Sequence, residues 1–569
     1  MHLSKASTIR PADVAVSTVI KLSAQANIAA RPIPKDIASL SIEFCYVIDY
    51  LRDVDSPNVL SLNLLQNIED LVSNPLVIRL GRHTQDAASF CAGCLETLNN
   101  TFTPSNDEAI ATSYNKNLFT EFIFGLNLGG NDVSIPLAEV KAAEKYMHPS
   151  RLRAYELGNE PDFYGSQRPK PWNLQTYVAQ QEDWLDQLAK KTAKGFSIRA
   201  LAQLPVYQGN FSLDEIVALG LPKKVDYAVS LSDHTYPYSM CDPERAKLVS
   251  LPNLMNHTAL VEFLAQWDTE IKAAEEAGVP FLMGETGSVS CHGKRGVSNT
   301  LGAALWELDY MLHGATIGIG GVYFHMGTPF YYSAWQPVAH NGEPAAVYPT
   351  YYSMLFMATA LALKEPYIAS LPSADTDLAY YGIYEGAPSA AAMPQKLIIL
   401  NMSFLSSNNT GPVTPAKAVD VSQIVGKRAK APVEFLAVGR LADGEIAHSI
   451  SAATIDRVDA KIAGWKEKAG ATRKGGEALW TQPGSKKTCC VAVKWSRVTD
   501  PRWPTNDYHN PADANPTFAC PICVGSFTPC VWTHKDFAAE ARVLPLPPGA
   551  RAPGATPQTE GFYVRVFAQ

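Results

Sequence analysis

Two glutamates each follow a short apolar run that has the composition of a buried strand. Glu160 lies in Tyr155–Asp162 (YELGNEPD) and Glu285 in Phe281–Ser288 (FLMGETGS). A carboxyl group that its surroundings keep protonated can protonate a departing oxygen, and a nearby carboxylate can attack carbon or activate water. Taken singly, Glu160 could instead cap a helix or pair with an arginine, and Glu285 could belong to a plain turn. Together, the two predict acid–base and nucleophilic catalysis.

The elements that must position this pair alternate between about residues 38 and 365. Eight strand-like runs are Leu40–Val47, Leu76–Arg82, Phe122–Leu128, Arg153–Glu160, Ser197–Leu204, Tyr227–Tyr236, Pro280–Thr286 and Gly321–Gly327. Helical runs are Val59–Val72, Leu137–Met147, Leu174–Lys194, Leu213–Leu219, Thr258–Ala277, Asn299–Leu312 and Tyr351–Leu363. This alternation predicts a closed (β/α)8 TIM barrel. The carboxyl ends of its strands meet at the barrel mouth, where the fourth and seventh strands would bring the two glutamates together.

The alternation of strand-like and helical runs stops on both sides of the predicted barrel. Strand-like runs at Leu378–Tyr384, Lys396–Phe404 and Val433–Val438 are separated by turns rich in Ser, Gly and Pro, which predicts an accessory β-sandwich. The alternating segment Val14–Leu22 is expected to join it. The predicted division is therefore an N-terminal segment (1–35), a catalytic barrel (36–365), a β domain (366–460) and an irregular, poorly ordered tail (461–569).

Composition excludes several classes of function. The 569 residues carry a formal net charge of −7, which provides no broad positive field for nucleic acid. No window has the roughly 18 consecutive apolar residues of a membrane span, and the first 34 residues show no secretory h-region. Five Asn-x-Ser/Thr triplets, which also arise by chance, favour secretion only slightly; they begin at Asn99, Asn210, Asn256, Asn401 and Asn408.

Order and spacing of several motifs resemble family 79 of the glycoside hydrolases, and its fungal β-glucuronidase-like members in particular. The resemblance covers about residues 15 to 410. The stretches that carry it are Ser41–Phe44, Ile78–Asp86, Tyr155–Asp162, His234–Pro237, Gly284–Gly287 and Phe324–Pro329. It implies a retaining, exo-acting β-glucuronidase that releases glucuronic acid or its 4-O-methyl form, needs no cofactor and works outside the cell.

The resemblance also implies roles for individual residues. Glu160 would be the acid/base and Glu285 the nucleophile, and Asn159 would bond the sugar's 2-hydroxyl. Tyr236 would orient the nucleophile, and Glu43 would bind sugar hydroxyls; a rim aromatic and a salt bridge are the simpler alternatives. His325 and Tyr332 would receive the uronate carboxylate, although Tyr331 is adjacent to Tyr332 and both side chains could merely pack in the wall.

One departure from the family pattern bears on activity. Arg82 stands where the family has the second of two glycines, and it could attract an acidic substrate or, as we expect, obstruct the site. An endo-acting, heparanase-like hydrolase is one alternative function, although a sulfated chain calls for a basic cleft. A catalytically impaired carbohydrate-binding protein is the other, and Arg82 motivates it.

The cysteines predict no metal centre. Cys489, Cys490, Cys520, Cys523 and Cys530 cluster in the tail. Tetrahedral zinc sites usually take two short-spaced pairs of ligands, and adjacent cysteines make a poor pair. Disulfides are plausible in a secreted protein, but their pairing cannot be deduced from the sequence.

Overall fold

The computed structural model describes residues 29–52, 57–72, 74–91, 120–192, 194–203, 211–221, 228–340, 342–372, 375–389 and 392–404, with short strands elsewhere. Eight parallel strands close into a barrel in which neighbours along the chain are neighbours in space. These strands, β1 to β8, are Ala38–Glu43, Val77–Gly81, Glu121–Leu126, Leu152–Leu157, Gly195–Gln203, Ala228–Thr235, Phe281–Thr286 and Ile319–Met326. The predicted (β/α)8 barrel is confirmed.

Most residues of the barrel strands are buried, and several strands are largely apolar. All residues of β1, β2 and β7 are buried, as expected for parallel strands that are covered on both faces. Five strands contribute to one buried cluster, which comprises Val77, Ile123, Ala154, Leu282 and Tyr323. Glu43, Glu285 and His325 lie at or next to the carboxyl ends of their strands. The barrel core therefore supports a polar mouth at that end.

The helices pack around the barrel at positions close to those expected. The α-helices are Val47–Leu51, Val59–Val72, Ser134–Tyr146, Leu174–Ala189, Leu213–Ala218, Pro243–Lys247, Leu251–Leu254, His257–Leu264, Asp268–Ala277, Leu301–Ile317 and Thr350–Ala360. The single helix predicted over Thr258–Ala277 is wrong, because a 3₁₀ turn at Ala265–Trp267 divides it. Trp267 Nε1 donates to Asp233 Oδ2 at 3.2 Å, so a contact with β6 outweighs the local periodicity.

An antiparallel sheet follows the barrel along the chain. Its strands lie in the order Lys396–Asn401, Leu378–Glu385, Pro366–Leu371 and Arg31–Pro32, so a segment from before the barrel completes it. Short strand pairs also join Val19–Lys21 to Ala418–Asp420, Val438–Arg440 to Ile446–His448, and Cys530–Trp532 to Arg542–Leu544. The division into domains remains a prediction, and the tail from 461 lies almost wholly outside the described residues. In the described part of the chain, no helix has the length and apolar character to cross a membrane.

A buried carboxyl group joins two of the outer helices. Ser353 Oγ donates to Glu307 Oε2 at 2.6 Å, and Glu307 is 3% exposed. Burial raises the pKa of Glu307 well above its usual value of 4.5, so the folded protein holds this proton to a higher pH than the unfolded chain does. The unfolded chain releases that proton above pH 4.5. Stability from this group is therefore present below that pH and is lost as the pH rises.

We expect Glu307→Gln to remove this pH dependence. The amide cannot ionise, so the variant should equal the wild type near pH 4 and gain relative to it up to pH 7. The gain is about 1.4 kcal/mol for each pH unit above 4.5 over which the folded group keeps its proton. Thermal unfolding across this pH range measures it, with Glu276→Gln at an exposed carboxylate as the control. A constant difference between variant and wild type would contradict the prediction.

Candidate active site

The two predicted catalytic glutamates meet at the barrel mouth. Glu285 lies in β7 and is fully buried. Glu160 follows β4 by three residues, in a left-handed backbone conformation, and its side chain is 24% exposed. One oxygen of each carboxylate and one ring nitrogen of His234 lie within 4.8 Å of one another. Carboxyl groups about 5–5.5 Å apart suit double displacement, whereas inverting pairs are wider.

Hydrogen bonds fix both oxygens of Glu285. The phenol of Tyr236 donates to Oε1 at 2.8 Å, and Arg79 Nη1 donates to Oε2 at 3.1 Å. Burial, followed by the charge of Glu285, raises the pKa of Tyr236 well above 10, so its phenol remains a donor. The orienting contact expected of Tyr236 is thus present in the structure. Its role in catalysis remains a prediction.

The sequence analysis missed Arg79. This fully buried arginine donates from Nε to Glu156 at 2.6 Å and from Nη2 to Asn159 Oδ1 at 3.1 Å, in addition to its bond to Glu285. It therefore links the nucleophile candidate to the segment that precedes Glu160. The available signal was a lone charge inside the otherwise apolar strand β2, since a buried arginine must have partners.

A second missed residue, Asp86, shapes the backbone that leads to Glu160. Its carboxylate accepts from the backbone N–H of Asn159 at 2.9 Å and also from the hydroxyl of Tyr164. Gly158 has φ +88°, and a Cβ there would lie 2.8 Å from Leu128, so the turn requires glycine. These constraints place Glu160 where its Oε1 lies 3.1 Å from His234 Nδ1.

Glu43 is the last residue of β1, which lies two strands from β7 in the barrel. It accepts from the backbone N–H of Thr84 at 3.2 Å, and His325 Nε2 lies 3.9 Å from its Oε2. Burial alone would raise the pKa of Glu43, but His325, Arg82 and Thr84 together hold it at about 2. An ionised carboxylate of this kind can accept bonds from sugar hydroxyls.

Tyr332 belongs to a buried aromatic cluster beside the glutamates. Its ring centroid lies 5.9 Å from that of Tyr236 and 6.1 Å from that of His325. Tyr331 is only half-buried, and its backbone N–H bonds to the carbonyl of His292. Of the two tyrosines, Tyr332 is therefore the one with ring contacts to the predicted site residues.

Arg82 reaches two of the carboxylates. Its Nη1 donates to Glu43 at 2.9 Å, and its Nε lies 3.3 Å from Glu285 Oε1. Its guanidinium carbon is 5.7 Å from the centre of the Phe330 ring. The backbone of Arg82 has φ +82° and ψ −167°, a region used almost only by glycine that costs of order 1–3 kcal/mol for other residues. The backbone at this position thus has a conformation typical of glycine, although an arginine occupies it.

A disulfide joins the loops that follow β6 and β7. It links Cys241 to Cys291, and next to it Tyr238–Ser239 pairs with Val289–Ser290. Cys91 is also disulfide-bonded, whereas Cys45 is an exposed free thiol. The tail cysteines considered as zinc ligands lie outside the part of the chain whose side chains are described.

The carboxylates of the site could in principle hold a cation. Glu160, His234 and Glu285 offer ligand atoms at suitable distances. The guanidinium of Arg79 already pairs with Glu285 at 3.1 Å, however, and its charge opposes a second cation there. The donor set therefore suits proton transfer and nucleophilic attack better than metal binding.

Comparison with known proteins finds similar glucuronidases. The chain is 33% identical over 387 residues to a β-glucuronidase from Aspergillus niger, and the aligned region spans 62% of this chain and 70% of that protein. It is 31% identical over 447 residues to a β-glucuronidase from Neurospora crassa, and the aligned region spans 70% of this chain and 77% of that protein. A crystal structure of a 4-O-α-L-rhamnosyl-β-D-glucuronidase from Fusarium oxysporum is 25% identical, with a TM-score of 0.57 over 69% of this chain and 82% of that one. No family model matches the sequence.

Proposed function

The chain belongs to the family of fungal β-glucuronidases, and we propose that it is a retaining, exo-acting glycoside hydrolase that releases terminal β-glucuronate from glycans. The chain covers more than two thirds of both curated relatives. The observation that carries the retaining mechanism is the approach of Glu160 and Glu285 to within 4.8 Å at the barrel mouth. The natural sugar would be glucuronic acid or its 4-O-methyl form.

In the proposed reaction, Glu285 attacks the anomeric carbon while Glu160 protonates the glycosidic oxygen. Water then enters, gives its proton to Glu160 and releases the sugar from Glu285. Tyr236 and Arg79 would hold the nucleophile in line, since each bonds one of its oxygens. Asn159, which Arg79 also contacts, would bond the 2-hydroxyl.

Three further residues would recognise the uronate. Burial lowers the pKa of His325 and raises that of Tyr332, so both are neutral near pH 7 and can donate to a carboxylate. Glu43, ionised, would accept from sugar hydroxyls. Such a site rejects a sugar that lacks the carboxylate because its buried donors would then lose their partner.

The cations at the mouth favour this proposal over a heparanase-like hydrolase. Arg79 and Arg82 both contact carboxylates of the protein itself. Neither offers the open positive surface that a sulfated polysaccharide calls for. An enzyme that works outside the cell is also proposed, in keeping with the Cys241–Cys291 disulfide and with exposed Asn256 and Asn401 in glycosylation triplets.

The test compares matched aryl glycosides. We expect kcat/KM for 4-nitrophenyl β-glucuronide to exceed that for the β-glucoside by roughly 10⁴-fold, because hydrogen-bonding sites discriminate on that scale. Tyr332→Phe should reduce the ratio by roughly 10- to 100-fold, since a hydrogen bond to a charged group is worth about 1.5–3 kcal/mol. Tyr331→Phe is the matched control and should leave the ratio unchanged. Equal rates for the two glycosides would refute the uronate assignment.

A further inference from the structure

Each oxygen of Glu285 lies near an arginine. Arg79 donates to Oε2 at 3.1 Å, and Arg82 Nε lies 3.3 Å from Oε1. One cation beside a nucleophilic carboxylate orients it, but a second further stabilises its charge. The free carboxylate is the species that such a pair stabilises most. The two guanidiniums therefore change the energy barrier of every step in which Glu285 loses or regains its charge.

The two arginines differ in how they are held. Arg79 is fully buried and bonds to Glu156, Ser41 and Asn159 in addition to Glu285. Arg82 has a side chain that is 22% exposed and bonds to Glu43. Its backbone, at φ +82° and ψ −167°, would suit glycine better than any other residue. Glycine at this position would therefore not strain the backbone, and the Arg82 side chain contacts two carboxylates of the site.

We propose that Arg82 is a positioning residue that slows formation of the glycosyl-enzyme and speeds its hydrolysis. The inference rests on the proposed function. In the first step a Glu285 oxygen bonds to the anomeric carbon, the bond from that carbon to the aglycone breaks, and its electron pair takes the proton of Glu160. The charge of Glu285 disappears, and its attraction to Arg82 is lost. Stabilisation of the starting carboxylate alone raises this barrier.

The second step reverses the effect. Water bonds to the anomeric carbon and gives a proton to Glu160, and the electron pair of the ester bond returns to Glu285. Its charge reappears beside Arg82, which lowers the barrier for departure of the carboxylate. The proposal thus differs from simple obstruction, in which a bulky side chain would hinder sugar binding and leave the balance of the two steps unaltered.

A fluorinated sugar separates the two steps. 2-Deoxy-2-fluoro-β-glucuronosyl fluoride should label the nucleophile with a long-lived ester, and intact-protein mass spectrometry follows its formation and loss. First-order rate constants at saturating probe isolate the chemistry from changes in binding. For Arg82→Gly we expect labelling to be about threefold faster and reactivation about threefold slower, because the tenfold effect of one pKa unit is divided between attack and departure of the carboxylate.

Two further variants distinguish charge from size. Arg82→Met keeps much of the length without the charge and should behave like Arg82→Gly. Arg82→Lys keeps the charge and should remain near the wild type. Equal rate constants in all four proteins would overturn the proposal, as would Arg82→Met resembling the wild type. Failure of every protein, including the wild type, to be labelled or to hydrolyse any aryl glucuronide would overturn both the proposed function and this inference. Labelling without the predicted differences would overturn the inference alone.

Discussion

Glu285→Gln is expected to lower kcat on an aryl β-glucuronide by roughly five orders of magnitude or more, because the amide cannot form the glycosyl-enzyme bond. The substitution keeps the size of the side chain, and its amide oxygen can still accept from Tyr236. Loss of activity would therefore reflect lost chemistry. Steady-state rates, with thermal unfolding to establish that the variant is folded, measure the effect.

Glu156→Gln is the matched control for this variant. Glu156 is also buried and also bonds to Arg79, at 2.6 Å, but no catalytic role is proposed for it. Its substitution should cost far less activity than that of Glu285. Comparable losses in both variants would mean that the arginine network, and not a nucleophile, explains the effect. If folded Glu285→Gln retained a few per cent of the activity, another residue would have to be the nucleophile.

Glu160→Ala should act selectively. An alkyl glucuronide needs a proton on its leaving oxygen, so its rate should fall by about 10³- to 10⁴-fold. A 2,4-dinitrophenyl glucuronide needs little protonation and should still form the intermediate at nearly the wild-type rate. Added azide should then speed turnover, because it attacks without help from a base, and the product should be the β-azide.

Asp162→Ala tests whether this selectivity belongs to Glu160. Asp162 lies two residues further along the same 3₁₀ turn, so its substitution perturbs the same segment. We expect the alkyl and dinitrophenyl substrates to be affected alike in that variant and azide to have no effect. An α-azide from Glu160→Ala, or equal losses on the two substrates, would contradict the assignment of the acid/base.

The parts of the site that sequence predicts best are those that depend on strand order. Glu160 and Glu285 could be paired in advance because the carboxyl ends of parallel strands meet at one end of a barrel. Helix Val59–Val72 has the bounds that its periodicity predicts, since one apolar face suffices to define it. These features follow from local pattern and topology alone.

The remaining features depend on contacts that no local pattern reveals. His234 occupies a motif that resembles the family's, yet its bond to Glu160 arises only when β6 stands beside the turn after β4. For Arg82, the sequence left attraction and obstruction open, because the direction of its side chain follows from a backbone with φ +82°. Arg79 shows the same limit, since one charge in an apolar strand does not name its partners.

The Cys241–Cys291 bridge has a consequence for how the protein should be produced. It joins the loops that follow β6 and β7, just beyond Tyr236 and Glu285, and a pairing of two residues on each side joins the same loops. Synthesis in a reducing bacterial cytosol would leave the two cysteines as thiols. Recombinant protein is therefore best made in an oxidising compartment. The activity measured for protein without the bridge would depend on the conformation of these loops as well as on the glutamates.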